Sequence, residues 1–314
     1  MLGLRFPGRR RSSWELQRSA LVSCSLVLLS QFALAMVPRL FPFLSLLAML
    51  PIAAMVMVAT ILLGRCWRRF LGISASAPAF VLFNILFLWG VYVSTIRQGT
   101  IPSLLDAILN AECALLLYGL YRILSGDPGM VSYSSSPVES GQNDFAALNV
   151  LYEQNSPSFS RVRYCKSCKS SIKGFDHHCP AFGNCIGRKN HRLFIILLAG
   201  FLIAESSYTM CSTKFLTKSA DSQRMESIHA SSLVISTTLF CILQVLWQVV
   251  FLIWHIYCIC FNIKTEEWIN WKRYPEFQLV MEPQPGSPIV QTRFTNPYDK
   301  GLLGNILDFI KSKD

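Results

Sequence analysis

Six stretches of the chain are apolar for long enough to cross a hydrocarbon core, which takes roughly 20 residues of helix. The first runs from Ala20 to Val37 and is closed by Pro38-Arg39. The second, Phe43 to Leu63, carries Pro51, which predicts a kink that a membrane bundle tolerates. Arg65, Arg68 and Arg69 stop it, with Trp67 among them as an interfacial anchor. The third covers Pro78 to Ile96 and ends in the polar turn Arg97-Gln98-Gly99-Thr100. The fourth, Ser103 to Leu124, holds Asp106, Asn110 and Glu112. Acidic residues inside a span are costly and often mark function. The plainer reading puts Asp106 near the interface and turns Glu112 toward a helix neighbour. The fifth span runs from Leu193 to Met210 and the sixth from Leu233 to Phe261, longer than a bilayer needs and so tilted or extended beyond it. Ser125 to Phe159, rich in Ser, Gly, Pro and Asn, reads as a solvated linker, and Cys211 to Ala230 as a polar loop of mixed charge.

Composition agrees with this pattern. Of 314 residues, 52% are hydrophobic and only 15% charged, too apolar for a typical soluble protein. The net charge of +11 reads as cytosolic loops under the positive-inside rule rather than as a nucleic-acid footprint. The fold class is an α-helical polytopic membrane protein with about six transmembrane helices and a small zinc-stabilised cytosolic cysteine-rich domain. Residues 1–124 form an N-terminal segment with four spans, and 125–192 a cytosolic linker and cysteine-rich domain. Residues 193–261 hold two more spans, and 262–314 form a cytosolic tail. Four spans before the cysteine-rich segment return it to the side of the N-terminus, and two more bring the C-terminus there. That side holds Arg9 to Arg11, Arg65, Arg68, Arg69, Lys264, Lys272 and Arg273; the other holds Arg97 and the loop with Lys214, Lys218 and Arg224. The N-terminus, cysteine-rich segment and C-terminus are therefore expected in the cytosol, on an endomembrane or the plasma membrane. Arg9 to Arg11 ahead of the first apolar run predict a retained helix rather than a cleaved signal peptide. Gly3 does not directly follow the initiator Met, so myristoylation is not indicated.

The chemistry is concentrated between Cys165 and Phe194, CKSCKSSIKGFDHHCPAFGNCIGRKNHRLF, with four of the chain's 11 cysteines and three of its five histidines. Cys165 and Cys168 form a C-x-x-C knuckle that presents two thiolates to one ion. His178 and Cys185 complete a tetrahedral sulfur/nitrogen set, for which Zn²⁺ is the default. Asp176, His177 and Cys179 then remain unspent. A carboxylate, an imidazole and a thiol are the parts of an activated nucleophile, the base pairing with the thiolate and the carboxylate orienting the base. Adjacent residues cannot all point one way, so with His178 turned to the metal, His177 faces out beside Cys179. Two plainer readings compete. A purely structural zinc knuckle leaves the three residues unused; a nucleic-acid-binding finger needs a second Cys/His pair and a helix spacing that are missing. No nucleic-acid partner is expected.

Asp176-His177-His178-Cys179-Pro180, followed by Gly183-Asn184-Cys185-Ile186-Gly187, Asn190 and Phe194, resembles the cysteine-rich domain of the DHHC protein S-acyltransferases (palmitoyltransferases). The resemblance implies a protein S-palmitoyltransferase that moves a long-chain acyl group from acyl-CoA to cysteines of membrane-associated substrate proteins. Cys179 would be the nucleophile, His177 the base, Asp176 its orienter and His178 a zinc ligand. In the tail, Lys264-Thr265-Glu266-Glu267 looks like the family's T-T-x-E motif with Lys264 in place of the first Thr. Asn296-Pro297-Tyr298-Asp299, Gly301 and Asn305 are similar to its C-terminal motif. Thr265 and Asn305 would then brace the DHHC segment; otherwise Thr265 is a helix cap and Asn296-Pro297 a turn. The chain departs from the pattern at Tyr164, Ser171 and Ala181, where zinc-binding His, a third Cys and Trp are usual. One structural zinc ion is expected rather than two, and these departures keep open a catalytically weak or inactive membrane scaffold. A transporter or channel with a zinc-stabilised loop is a third reading, against which stand spans with no polar stripe or repeat. Lys166, Lys169, Lys173, Arg188, Lys189 and Arg192 give a basic face for CoA phosphates or anionic lipid, or plain positive-inside charge. Cys66, Cys258 and Cys260 read as packing residues ahead of acylated juxtamembrane thiols.

Overall fold

A computed structural model describes residues 13–72, 75–97, 101–131, 161–221, 227–281 and 291–311. Arg9 to Arg11, Gln98 to Thr100, Arg224 and the predicted linker beyond residue 131 lie outside the described residues.

Among the described residues, six helices are long and apolar enough to cross a membrane, the third when counted through Ile96. They are α1 (Ser13–Leu40), α2 (Leu46–Leu71), α3 (Ala77–Val91), α4 (Ser103–Ser125), α5 (His191–Asp221) and α6 (Ser227–Cys260). Lipid-length runs of this kind must satisfy every backbone group internally, which only a helix does within one segment. Large side chains such as Leu47, Met55, Ile61, Ile196, Trp247 and Val250 are exposed around the bundle, as a lipid-facing surface requires. Leu34, Met49, Tyr92, Tyr208 and Phe240 pack between the helices.

The expected six spans are present, with three corrections to their ends. Pro38 lies inside the last turn of α1, and the break falls at residues 41–45. The third span does not run on as plain α-helix: Tyr92–Ile96 is a π turn, closed by the Arg97 N–H to the Tyr92 carbonyl at 2.9 Å. The polar loop expected from Cys211 to Ala230 is helical as far as Asp221 and again from Ser227. Its hydroxyls are absorbed by the helix itself: Ser212 donates to the Tyr208 carbonyl at 2.7 Å and Thr213 to that of Thr209 at 2.8 Å.

The acidic residues of α4 behave as the plainer reading predicts. Asp106 lies in the first turn and pairs with Arg97 at 3.1 Å, while Ser207 of α5 donates to Glu112 at 3.1 Å. Tyr92 donates to Asp106 at 3.0 Å, so the π turn is pinned to the start of α4.

Between α4 and α5 sit two antiparallel hairpins, β1 (Val162–Cys165) with β2 (Ser170–Lys173), and β3 (His177–Cys179) with β4 (Asn184–Ile186). Residues 126–131, assigned to the linker by the sequence, pack on these hairpins: Asp127 accepts from the Gly129 and Met130 N–H groups, and Met130 bridges to Ile172. After α6 come α7 (Thr265–Asn270), the hairpin β5 (Gln278–Met281) with β6 (Gln291–Phe294), and α8 (Leu302–Lys311). The tail folds back on the hairpins. Arg161 binds Glu267 and the Asn262 side chain and carbonyl, and lies 3.9 Å over the Tyr298 ring.

Candidate active site

Strand periodicity divides the labour within β3. Successive side chains of a strand point to opposite faces, so His177 and Cys179 share one face and His178 takes the other. Cys185 stands directly across from His178 in the register and Asn184 across from Cys179. The hairpin thus carries His178 and Cys185 on one face and His177 and Cys179 on the other.

On the first face, Cys165, Cys168, His178 and Cys185 each present one ligand atom, all within 4.8 Å of one another. The Cys168 sulfur is 3.4 Å from His178 Nδ1 and 3.3 Å from the Cys185 sulfur, and Cys185 is 3.6 Å from His178 Nδ1. A tetrahedral zinc with bonds of about 2.3 Å to sulfur separates its ligands by about 3.7 Å, so the donor set fits such an ion. Burial, with His177 nearby, pushes the His178 imidazole down and so keeps it neutral, as a metal requires; burial also pushes the Cys185 thiol up. The C-x-x-C turn is closed by Lys169 at φ 51°. Tyr164 and Ser171 face each other across β1 and β2, Tyr164 exposed. Among the described residues no second Cys/His cluster lies beside them.

On the opposite face, Asp176 is fully buried. Its Oδ2 is 2.7 Å from His177 Nδ1, its Oδ1 accepts from the Thr265 N–H at 3.1 Å, and its carbonyl accepts from the Glu266 N–H at 2.9 Å. Burial alone would raise this carboxyl, but the His177 hydrogen bond and the nearby cations hold it well below the usual carboxylate range. Burial alone would lower His177; the hydrogen bond it donates to Asp176 and the neighbouring Cys179 outweigh it and raise the imidazole to about 9. Its Nε2 has no nitrogen or oxygen partner among the described residues. Phe194 packs edge-on at 5.3 Å and holds the ring in place.

Cys179 is buried, and its thiol opens on a cavity of about 260 Å³. Walls from α3, α4, α5 and α6 line this cavity, among them Leu88, Leu116, Phe194, Phe201 and Phe251, with Ala181 and Phe182 beside the thiol. Asn184 fixes the hairpin over it by donating to the Ile123 and Gly126 carbonyls at the end of α4, at 2.8 and 2.9 Å.

Residues 145–272 match the model of the DHHC palmitoyltransferase family. Over these residues the chain carries a DHHC palmitoyltransferase domain. Palmitoyltransferase ZDHHC17 of Mus musculus is 26% identical over 219 residues, 64% of this chain and 33% of that protein. Palmitoyltransferase ZDHHC12 of Homo sapiens is 26% identical over 235 residues, 68% of this chain and 76% of that protein. The "probable protein S-acyltransferase 15" of Arabidopsis thaliana is 27% identical over 179 residues, 56% and 69%. The chain thus spans about a third of the ZDHHC17 relatives' length.

Of the two residues expected to brace this segment, Thr265 contacts Asp176, while Asn305 contacts the tail and α6 instead. Thr265 meets Asp176 through its backbone N–H rather than its hydroxyl. Asn305 is buried and ties the tail to itself and to the end of α6: its amide donates to the Cys260 carbonyl at 2.8 Å and to Asp299 at 2.7 Å. Sequence reading missed His191, His255 and Lys264. His255 of α6 is buried with Nδ1 3.9 Å from Asp176, and the Lys264 ammonium lies 3.1 Å from His191 Nδ1. A His inside a long apolar span is the signal that would have found His255. Of the cysteines read as packing residues, Cys258 is buried, Cys260 half-buried and Cys66 exposed.

Gly187 shows how tightly the DHHC domain closes. A Cβ there would stand 2.4 Å from the Pro128 carbonyl oxygen and 2.6 Å from Ile172. Backbone cannot yield as a flexible side chain does. Gly187→Ala is expected to destabilise the domain by roughly 1–3 kcal/mol, the usual overpacking range. Thermal unfolding checks this; an unchanged midpoint would contradict the contact.

Proposed function

We propose that the chain is a protein S-palmitoyltransferase that works through an acyl-enzyme on Cys179. The observation that supports this best is the position of Cys179, beside the Asp176–His177 pair and at the mouth of an apolar cavity between the spans. His177 takes the Cys179 proton, and Asp176 fixes its ring and stabilises its cation. The Cys179 sulfur attacks the acyl-CoA carbonyl; the carbon–sulfur bond to CoA breaks, and the departing CoA thiolate is protonated from His177. In the second half, His177 takes the proton of a substrate cysteine, whose sulfur attacks the acyl-Cys179 carbonyl and regenerates the Cys179 thiol. A thioester is broken and a thioester formed at each step, so access and positioning set the rate. The acyl chain lies in the cavity, out of water.

Cys165, Cys168, His178 and Cys185 would hold one structural Zn²⁺, whose four protein ligands leave no position for substrate and whose role is to fold the hairpins. The exposed Lys166, Lys169, Lys173 and Arg188 would receive the CoA phosphates. The protein is membrane-embedded with N-terminus, DHHC domain and C-terminus in the cytosol, as the Lys/Arg asymmetry favours, and its protein substrates are membrane-associated.

The test is to incubate purified protein with a labelled long-chain acyl-CoA and compare wild type with Cys179→Ser. Hydroxylamine-labile label on wild type alone is expected. Equal label on both would assign it to bystander thiols such as the exposed Cys66, and no label on folded, zinc-loaded protein would favour the non-catalytic scaffold.

A further inference from the structure

The cavity beneath Cys179 is not uniformly apolar. Glu205 of α5 and Gln248 of α6 both line it, and both are more than nine-tenths buried. Gln248 Nε2 donates to Glu205 Oε1 at 2.9 Å. The other oxygen of each, Glu205 Oε2 and Gln248 Oε1, has no hydrogen-bond partner among the described residues. The described lining holds no Lys, Arg or His to pair with the carboxylate. Buried acceptors of this kind cost free energy unless something donates to them. Asn84, also in the lining, already uses its own amide on the Phe80 carbonyl.

The pair sits part-way down the cavity. On α5 the lining runs from Phe194 past Glu205 to Tyr208, and on α6 from Phe251 past Gln248 to Phe240. Phe194 and Phe251 meet at 6.2 Å, and both flank the catalytic face through contacts to His177 and His255. Gln248 is one turn below Phe251, about 4 Å, and Glu205 three turns below Phe194, about 16 Å, so the pair they form lies between those two depths. An extended chain advances about 1.2 Å per bond, the zigzag that gives extended polypeptide its reach, so that interval spans roughly four to thirteen carbons below the level of Phe194 and Phe251 and is centred near mid-chain.

Building on the proposed acyl-enzyme, we propose that the cavity takes acyl thioesters bearing a hydroxyl near mid-chain, and that Glu205 and Gln248 read that hydroxyl. A plain alkyl chain would leave both oxygens unpaired against methylenes; a hydroxyl donates to one of them. A site that holds unpaired polar groups for a substrate hydroxyl discriminates strongly against the analogue without it, whereas added methylenes discriminate weakly.

The experiment is competitive acylation of the purified full chain, with label on Cys179 read by mass spectrometry. Palmitoyl-CoA competes in turn with 10-hydroxypalmitoyl-CoA and with 2-hydroxypalmitoyl-CoA, whose hydroxyl stays at the mouth. Wild type is expected to favour the 10-hydroxy chain over palmitate by about tenfold, the factor one net hydrogen bond supplies, and to show no such preference for the 2-hydroxy chain. Glu205→Leu with Gln248→Leu should bring the first ratio to about one. Competition ratios do not depend on how much of a variant folds, and the wild-type ratio stands without any variant. A wild-type ratio at or below one, with palmitate on Cys179, overturns this inference alone and fits a cavity whose polar pair holds water. No chain on Cys179 overturns the acyl-enzyme reading and this inference with it.

Discussion

Asp176→Asn is expected to slow Cys179 acylation by about 10²–10⁴-fold, the usual contribution of a positioned acid–base group. Asn keeps an acceptor for the Thr265 N–H that Asp176 Oδ1 now serves at 3.1 Å. Its amide nitrogen, however, donates where Asp176 Oδ2 accepts from His177 Nδ1 at 2.7 Å. His177 would then carry its proton on Nε2, the atom turned to Cys179, and could not take the thiol's. The lost charge-assisted hydrogen bond adds a destabilisation of about 1.5–3 kcal/mol. Single-turnover labelling with acyl-CoA, read beside thermal unfolding, separates the two effects. His177→Ala should lose about as much, and the double variant little more, because the two side chains act as one unit. An Asp176→Asn protein that acylates at the wild-type rate would remove the base assignment.

Loss of the metal is expected to have the other large effect. Cys165→Ser, or prolonged chelation of the wild type, should take zinc content from one per chain toward zero and abolish Cys179 labelling in parallel. The hairpins β1–β4 offer few apolar residues of their own, chiefly Ile172 and Phe175 packed with Cys165 and Cys185. Structural zinc in small peptides supplies about 10–16 kcal/mol of apparent binding free energy, as much as whole domains have in stability. Under the proposed function the same hairpin would present His178 to the metal and His177 and Cys179 to the reaction, so unfolding one face would scatter the other. Elemental analysis decides: two zinc ions per chain would contradict the single-site reading, and a metal-free protein that still labels Cys179 would contradict the scaffold role.

What the sequence made legible follows from what local pattern encodes. Apolar runs of bilayer length located all six long helices, because the bilayer imposes one length on every span. The rule that adjacent side chains cannot all point one way set His178 apart from His177 and Cys179, and the strand His177–Cys179 supplies that alternation. The ends of α5 and α6 were misplaced because polarity was taken as a stop signal, whereas Ser212 and Thr213 satisfy their hydroxyls on their own helix. The cavity was out of reach, since its walls come from four helices whose contacts no local pattern records. Glu205 was readable in principle: like Asp106 and Glu112 it is an acid within a span, yet the fifth run drew no such scrutiny. Thr265 carried a motif resemblance, but motifs name residues and not atoms, and here the backbone N–H makes the contact.

Asn184 hangs the nucleophile hairpin from the last carbonyls of α4, directly opposite Cys179. The end of α4 is therefore one of the supports that hold the Cys179 hairpin in place, beside the Thr265 and Glu266 N–H groups on Asp176. Thinning or thickening the bilayer makes a helix lean or straighten at a cost of fractions of a kcal/mol per Å. Under the proposed function such leaning of α4 would shift Cys179 with it, and bilayer thickness would become a mechanical setting on where the thiol meets its substrates.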